Sequence, residues 1–337
     1  FNVGLEANFL GDRLNMRFNY FLANTDHLLT YQNLNYISGL GENWSNGGSL
    51  RNQGFDLTLI GKVLATKDFQ WELGASVGHY KNKITSLAGG RTSFDTNLYG
   101  ATIHSEVGQA ANLFYGYKTA GVFTTSEEAA EAGLYILGEN GVDRNYFGAG
   151  DMHFVDRDGD HQITEADRMV IGDPNPDLYG NIFTSLNYKR FRLDVNFNYS
   201  LGNDVYNYMR SQLEGGNRFL NQTTAMTTRW QTEGQVTTMP KATFQDPMGN
   251  SRFSDRWIED GSYLRLKTVT LSYTLPLHST FLQGLQFWIQ ANNLFTVTKY
   301  LGSDPEFSMT GNVLGQGIDL GQLPQCRSFV AGVKVNL

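Results

Sequence analysis

The stretch Phe154 to Gly172, FVDRDGDHQITEADRMVIG, gathers four aspartates and a glutamate into a few turns of chain. Carboxylates this close repel one another, and a hard cation that takes 6–8 oxygens at about 2.3–2.6 Å is the usual reason to collect them. Laid on a twelve-residue calcium loop, Asp156, Asp158, Asp160, Gln162, Thr164 and Asp167 fall at positions 1, 3, 5, 7, 9 and 12. Gln162 would act through its backbone carbonyl, and Ile163 supplies the apolar residue of position 8. Position 6 is His161 where glycine is usual; the backbone there needs positive φ, which histidine tolerates better than a branched residue. Position 12 is Asp167, one methylene shorter than glutamate, with Glu165 close in sequence. The competing reading is a solvated acidic turn whose aspartates cap the TEADR segment. No long amphipathic helix flanks the loop, so the calcium expected here is structural: it offsets part of the entropy lost when a long connection is ordered.

Other reactive side chains form no catalytic pattern. Cys326 is the single cysteine and has no histidine motif beside it. His79 and His104 lie far apart without a metalloprotease or triad arrangement, and Glu127 and Glu128 read as the acidic first turn of a short helix. The glycines of GLGENWSNGG lack the strand-to-helix context of a phosphate loop. An enzyme is not indicated. Aromatic residues outside or near the ends of strands are more informative: Tyr31, Tyr36, Trp44, Phe94, Tyr99, Trp230 and Trp257. Sugars present apolar C–H faces that stack on such rings, so Trp44, Tyr99 and Trp230 are the candidate substrate-binding residues. The alternative is that these rings pack the loops together or meet a partner.

These groups must be carried by a scaffold. The chain has 337 residues, 40% hydrophobic, 13% aromatic and only 18% charged, with 26 basic residues against 33 acidic ones, which argues against a nucleic-acid partner. No apolar run approaches the roughly 20 residues of a membrane helix, which leaves membrane strands open. Period-two alternation gives about nine strands; in FRLDVNFNYS, Phe191, Leu193, Val195, Phe197 and Tyr199 alternate with Arg192, Asp194, Asn196 and Asn198. Short turns such as GDR and KR alternate with long connections at about 24–50, 81–177, 202–262 and 299–327. Strict alternation puts every long connection on one side, as in outer-membrane barrels with short periplasmic turns. Phe69, Trp71, Tyr188 and Phe191 cluster beside short turns, as an interfacial aromatic girdle does. The fold expected is all-β, a transmembrane antiparallel β-barrel with long loops extracellular and the C-terminus periplasmic. An odd strand count implies an odd number of further strands upstream, since the opening FNVGLEANFL is already strand-like and single-chain bacterial barrels close with even numbers.

Several blocks resemble the SusC-like TonB-dependent transporters of Gram-negative outer membranes. They are LFYGYKTAGVFTTSEEA (Leu113 to Ala129), IGDPNPDLYG (Ile171 to Gly180), SDRWIEDGSYLRLKTVTLSYTLP (Ser254 to Pro276) and NNLFTVTKYLGSDPE (Asn292 to Glu306); NQGFDLTLIGKV and FQWELGASVGHYKNKITSL are also similar. The resemblance implies that residues 1–337 are the C-terminal portion of a 22-stranded barrel, about its last nine strands. It further implies import of glycan oligosaccharides or peptides, a SusD-like surface lipoprotein as a lid, and energy from TonB through an N-terminal plug and TonB box that this chain lacks. Trp257 lies inside one of the blocks, which favours a packing role for it. The alternative function is that of a soluble, calcium-stabilised β-rich carbohydrate-binding protein.

Overall fold

The computed structural model describes residues 1–33, 37, 39, 42–276, 284–307 and 313–336. Nine strands make one sheet: β1 (Asn2–Phe9), β2 (Leu14–Asn33), β3 (Glu42–Ala65), β4 (Phe69–Ser86), β5 (Leu178–Tyr188), β6 (Phe191–Leu201), β7 (Tyr263–Pro276), β8 (Gly284–Thr298) and β9 (Ser328–Asn336). Every neighbouring pair is antiparallel and consecutive along the chain. The connections at 10–13, 66–68, 189–190 and 277–283 therefore lie at one end of the sheet. Those at 34–41, 87–177, 202–262 and 299–327 lie at the other. The tight turn after β1 places Leu10, Gly11 and Asp12 in the left-handed region in succession, and Gly11 supplies the residue with no steric cost there. Among the described residues no helix is long and apolar enough to cross a membrane.

The register sorts the side chains into continuous rows. Phe69, Tyr188, Phe191, Tyr273, Phe287 and Val333 are successive cross-strand partners from β4 to β9, and they form a band beside the short turns. Within it Phe191 and Tyr273 rings lie 4.8 Å apart and Phe69 and Tyr188 rings 6.4 Å apart. Two residues further from the turns the row reads Trp71, Leu186, Leu193, Leu271, Ile289 and Ala331; the next reads Leu73, Thr184, Val195, Val269, Ala291 and Phe329. Leu73, Ile182, Leu271, Ile289 and Phe329 on this face are exposed. Thr184, its one polar member in these rows, is satisfied: its hydroxyl accepts the Trp71 indole N–H at 2.8 Å and donates to the Glu72 carbonyl at 3.1 Å. The opposite face carries Glu72, Ser185, Asp194, Thr270 and Gln290 in one row. Arg192 forks onto Asp194 there at 2.8 and 2.9 Å. An inward ring, Phe183, lies across Gly74, where a Cβ would stand 2.1 Å from the ring. Only glycine fits beneath it.

One expectation needs correction. The segment 24–50 is not a loop: β2 and β3 stay paired from Thr25↔Leu50 out to Asn33↔Glu42, leaving 34–41 as the connection. Similarly β4 runs to Ser86, so the next connection starts at 87 rather than 81. The reason is that polar side chains end an apolar face without ending a backbone ladder, which needs only N–H and C=O groups. Register shifts at Thr25/Leu28 and Leu28/Leu29, with His27 at φ 58°, absorb the change in a bulge.

The connections are themselves folded. The largest fully buried side chains, Trp257, Phe114, Phe123 and Phe154, all belong to them. One core packs Phe123, Leu134, Phe147, Met152, Phe154 and Ile163; a second packs Ala101, Ile103, Phe114, Tyr206, Trp257 and Ile318. Short strands frame the second core: Met169–Gly172, Leu113–Gly116, Ala101–Glu106 and Ser93–Leu98 form one small sheet, and Ile258–Asp260, Asp204–Asn207 and Ile318–Asp319 another. The helix α1 (Ser126–Ala132) closes the first core; Thr125 caps its start and Gly133, at φ 63°, ends it. The last connection is fastened to the wall by charge. Arg265 on β7, 3% exposed, pairs with Asp304 and Glu306, and Lys267 reaches Glu306 at 3.1 Å.

Two predictions follow from this architecture. Leu193→Arg or Val195→Arg should lower barrel stability in lipid by about 2–4 kcal/mol near the midplane, while Asn196→Arg on the other face should cost less than about 1 kcal/mol. Urea unfolding in bilayers measures this, and equal losses at all three positions would invert the assigned faces. Arg265→Ala should leave the Asp304 carboxylate buried without its partner and loosen residues 299–307, with a local cost of about 3–5 kcal/mol. Hydrogen exchange should accelerate in that segment and not in β4 to β6.

Candidate metal centre and cargo site

The acidic loop folds much as its spacing implies. Carboxylate oxygens of Asp156, Asp158 and Asp167 lie within 4.8 Å of one another. Asp160 stands outside that group, and its Oδ1 accepts the Gln162 N–H at 2.7 Å. Asp156 accepts N–H groups from Gly159 and His161, both at 2.8 Å. Asp167, 1% exposed, accepts from Arg157 at 2.8 Å and Thr164 at 2.7 Å. The Thr164 hydroxyl accepts from Ala166 at 3.1 Å and so caps the short turn Glu165–Asp167. Position 6 does take positive φ: His161 sits at 63°, and its ring reaches the Ala132 carbonyl at the end of α1 at 3.1 Å. Ile163 is buried; its N–H donates to the Tyr135 carbonyl at 2.9 Å, and the Tyr135 N–H donates to the His161 carbonyl at 3.0 Å. The loop is thus sewn into the first core on one side and opens its carboxylates on the other.

The same geometry is compatible with a metal set and with a capped turn: the three clustered carboxylates also accept backbone N–H groups. Each carboxylate oxygen has two lone pairs, so an oxygen that accepts one N–H keeps a site for a cation. The charges are not balanced within the loop. Desolvation pushes the Asp156 carboxyl up, but the His161 and Gly159 N–H groups more than offset it and hold it below the usual range. Asp158 goes the other way: desolvation raises it, the Asp160 N–H opposes, and the charges of Asp160, Asp167 and Asp156 add to the rise. A divalent cation at the centre of the three carboxylates would reverse that repulsion. The donor set is all oxygen, as calcium or magnesium requires, and the three carboxylates leave room for backbone and water ligands.

The candidate cargo residues separate on inspection. Trp230 packs against the first core, its ring lies over Gly150 and its N–H donates to the Thr124 carbonyl at 3.2 Å; it holds the 202–262 connection to the 87–177 connection. Trp257 is fully buried in the second core, as its packing role implies. Tyr99 is exposed, with Tyr208 at 6.0 Å edge to face. Tyr31 and Trp44 are strand residues paired with each other across β2 and β3; their side chains, and Tyr36 entirely, lie outside the described residues. His79 bonds the Asp177 carbonyl at 2.6 Å, and His104 sits against Asp95 at 2.6 Å with its ring stacked on Tyr115. Cys326 is exposed and unpaired.

No family model matches the chain. Among curated proteins it is 29% identical to a TonB-dependent receptor of Formosa agariphila over 347 residues, covering 99% of this chain and 33% of that protein. It is 27% identical to the TonB-dependent receptor SusC of Bacteroides thetaiotaomicron over 356 residues, covering 99% of this chain and 31% of SusC. Among solved structures, the RagAB peptide transporter superposes with a TM-score of 0.78 at 26% identity, over 99% of this chain and 35% of that one. Over nearly its whole length the chain is similar to SusC-like TonB-dependent transporters. It spans about a third of the length of the curated relatives it matches. The SusC-like blocks now have physical content. LFYGYKTAG contributes Phe114 and Tyr117 to the two cores, SDRW contributes Trp257, and LRLK meets SDPE through the Arg265–Asp304 pair. They are the seams at which separate connections join each other and the wall. Sequence reading missed the two cores and the clasp, although the blocks themselves were the signal that these segments are constrained.

The geometry separates two acidic side chains by role. In chelator, Asp167→Ala should strand two N–H groups and loosen residues 148–173, at a local cost of about 1–3 kcal/mol. Asp158→Ala should be neutral or slightly protective under the same conditions, because it removes repulsion. Limited proteolysis of the two variants tests the order; equal sensitivity would contradict the assigned roles.

Proposed function

We propose that this chain forms nine wall strands and the extracellular loop layer of an outer-membrane transporter that imports nutrient oligomers with energy from TonB. The observation that carries the reading is the single sheet with one continuous exposed apolar face and its long connections, which share two cores of their own, at one end. An apolar face of that extent in water would drive association, whereas in a bilayer it is the solvated surface. The polar opposite face suits a lumen. Glycan oligosaccharides are the first cargo class to test and peptides the second; RagAB, a solved relative, is a peptide transporter. A SusD-like surface lipoprotein would cover the loop layer as a lid and enclose the cargo between the two. Calcium held by Asp156, Asp158 and Asp167, with Asp160, Gln162 and Thr164 completing the shell through side-chain or backbone oxygens, would pin the 87–177 connection beneath that lid. Its role is structural, since the loop contacts α1 and the first core rather than a cavity.

The full transporter should fractionate with outer membranes, require detergent for extraction and bring down a lipid-anchored partner near one to one. Uptake should stop when TonB is deleted. Chelator should sensitise residues 148–173 to protease, with calcium restoring protection and Asp156→Ala abolishing the calcium effect. Extraction without detergent, or repeated recovery alone with full uptake in cells lacking any lipoprotein partner, would defeat the transporter and lid readings respectively.

A further inference from the structure

Where the 202–262 connection meets the turn at Gly100, the second core leaves a polar cavity of about 160 Å³. Ser211, Gln212, Asn217, Arg218 and Ser251 line it, with Trp257 behind them. Among the described residues Arg218 has no carboxylate partner, while the neighbouring acids are all engaged. Glu214 is held by Arg210 at 2.8 Å and Thr223 at 2.9 Å, and Glu259 by Arg210 at 2.9 Å. Asp246 accepts from the Asn250 N–H at 2.7 Å, the Ser251 N–H at 2.7 Å and the Ser251 hydroxyl at 2.6 Å. Two more guanidinium groups lie against the Trp257 ring, Arg256 at 4.2 Å and Arg210 at 5.8 Å. Arg256 is so buried, and so close to the Arg210 charge, that its guanidinium is pushed down to about 10, yet it remains a cation at neutral pH. Its Nη1 has no hydrogen-bond partner. Arg218 is the one guanidinium in the cavity lining, and it stands exposed at the rim.

We infer that this cavity is a subsite for a carboxylate carried by the cargo, bound through Arg218 with amide and hydroxyl donors from Asn217, Gln212 and the serines. The shape suits an end or branch of an oligomer rather than its body: the volume holds several waters, each taking about 30 Å³ in the liquid, and therefore one acidic terminal unit. Tyr99 stands beside it, because the Tyr206 hydroxyl bonds the Tyr99 carbonyl at 3.2 Å and the Ser211 hydroxyl at 3.0 Å. An exposed ring next to a cationic polar pocket is what a chain with an apolar face and an acidic group needs. The carboxylate has two chemical sources, the C-terminus of a peptide or an acidic sugar. The inference rests on the import reading above and adds a charge specificity to it.

The test uses the intact transporter and two matched probe pairs. One is a tripeptide as free acid and as C-terminal amide; the other is a glucuronate-terminated oligosaccharide and its glucose-terminated equivalent. Calorimetry on purified wild-type complex should show the acid form of one pair binding about tenfold tighter or more, as a charge-assisted contact provides. The pair that shows the preference identifies the source. Arg218→Gln should bring the ratio towards one, Arg218→Glu should abolish or invert it, and Arg218→Lys should retain part of it. Equal binding of acid and neutral members in both pairs, or an acid preference that survives Arg218→Gln, overturns the subsite. Uptake by wild-type cells with and without TonB is followed in parallel: uptake independent of TonB would count against the import reading, while TonB-dependent uptake without acid preference would remove only the subsite.

Discussion

The antiparallel backbone ladder is the constraint from which the rest follows. Surrounded by lipid, a strand has no water to satisfy its N–H and C=O groups, so each must find them in the next strand. From β1 to β9 this is met by consecutive neighbours, and among the described residues the unpaired edges of this sheet are those of β1 and β9. Once the ladder sets the register, side chains have just two directions, and rows such as Leu186, Leu193, Leu271 and Ile289 follow without further choice. The wall consequently has almost no interior of its own. Its apolar residues face outwards, and the buried core of the chain lies in its connections.

That inversion explains what the connections must supply. A segment of ninety residues cannot be held by ladder bonds at its two ends, so it folds around Phe123, Phe154 and Trp257 and is fastened to its neighbours by a few strong contacts. Arg265 with Asp304 anchors the last connection to β7, Trp230 joins two connections across Gly150, and the acidic loop grips α1 through His161. Buried pairs of this kind add little net stability, but removing one partner is costly, so they act as selectors of a single arrangement. A rigid loop layer also gives a partner or a cargo a defined surface to meet.

How much of this was legible in the sequence differs by element. Period-two alternation gave about nine strands, the number found in the wall, because one face of each meets a uniform apolar environment. It failed between Thr25 and Leu50, where the strands continue into water and side-chain polarity no longer reports on the backbone. The backbone of the acidic loop was readable down to the positive φ of His161, since all the residues of the proposed set lie within one short stretch. Asp160 lies outside the cluster formed by Asp156, Asp158 and Asp167. The cargo residues were least legible. Trp230 and Tyr99 look alike in sequence, and only contacts from more than a hundred residues away make the first a packing residue and leave the second exposed.

Site-directed spin labelling of the complete transporter in bilayers addresses the central claim, that one face of this sheet is solvated by lipid. Labels at Leu193, Leu271 and Ile289 should relax strongly with lipid-soluble oxygen and weakly with a polar nickel chelate, and labels at Asp194, Thr270 and Gln290 should show the opposite order. Matching accessibility to the polar reagent on both faces would contradict the account.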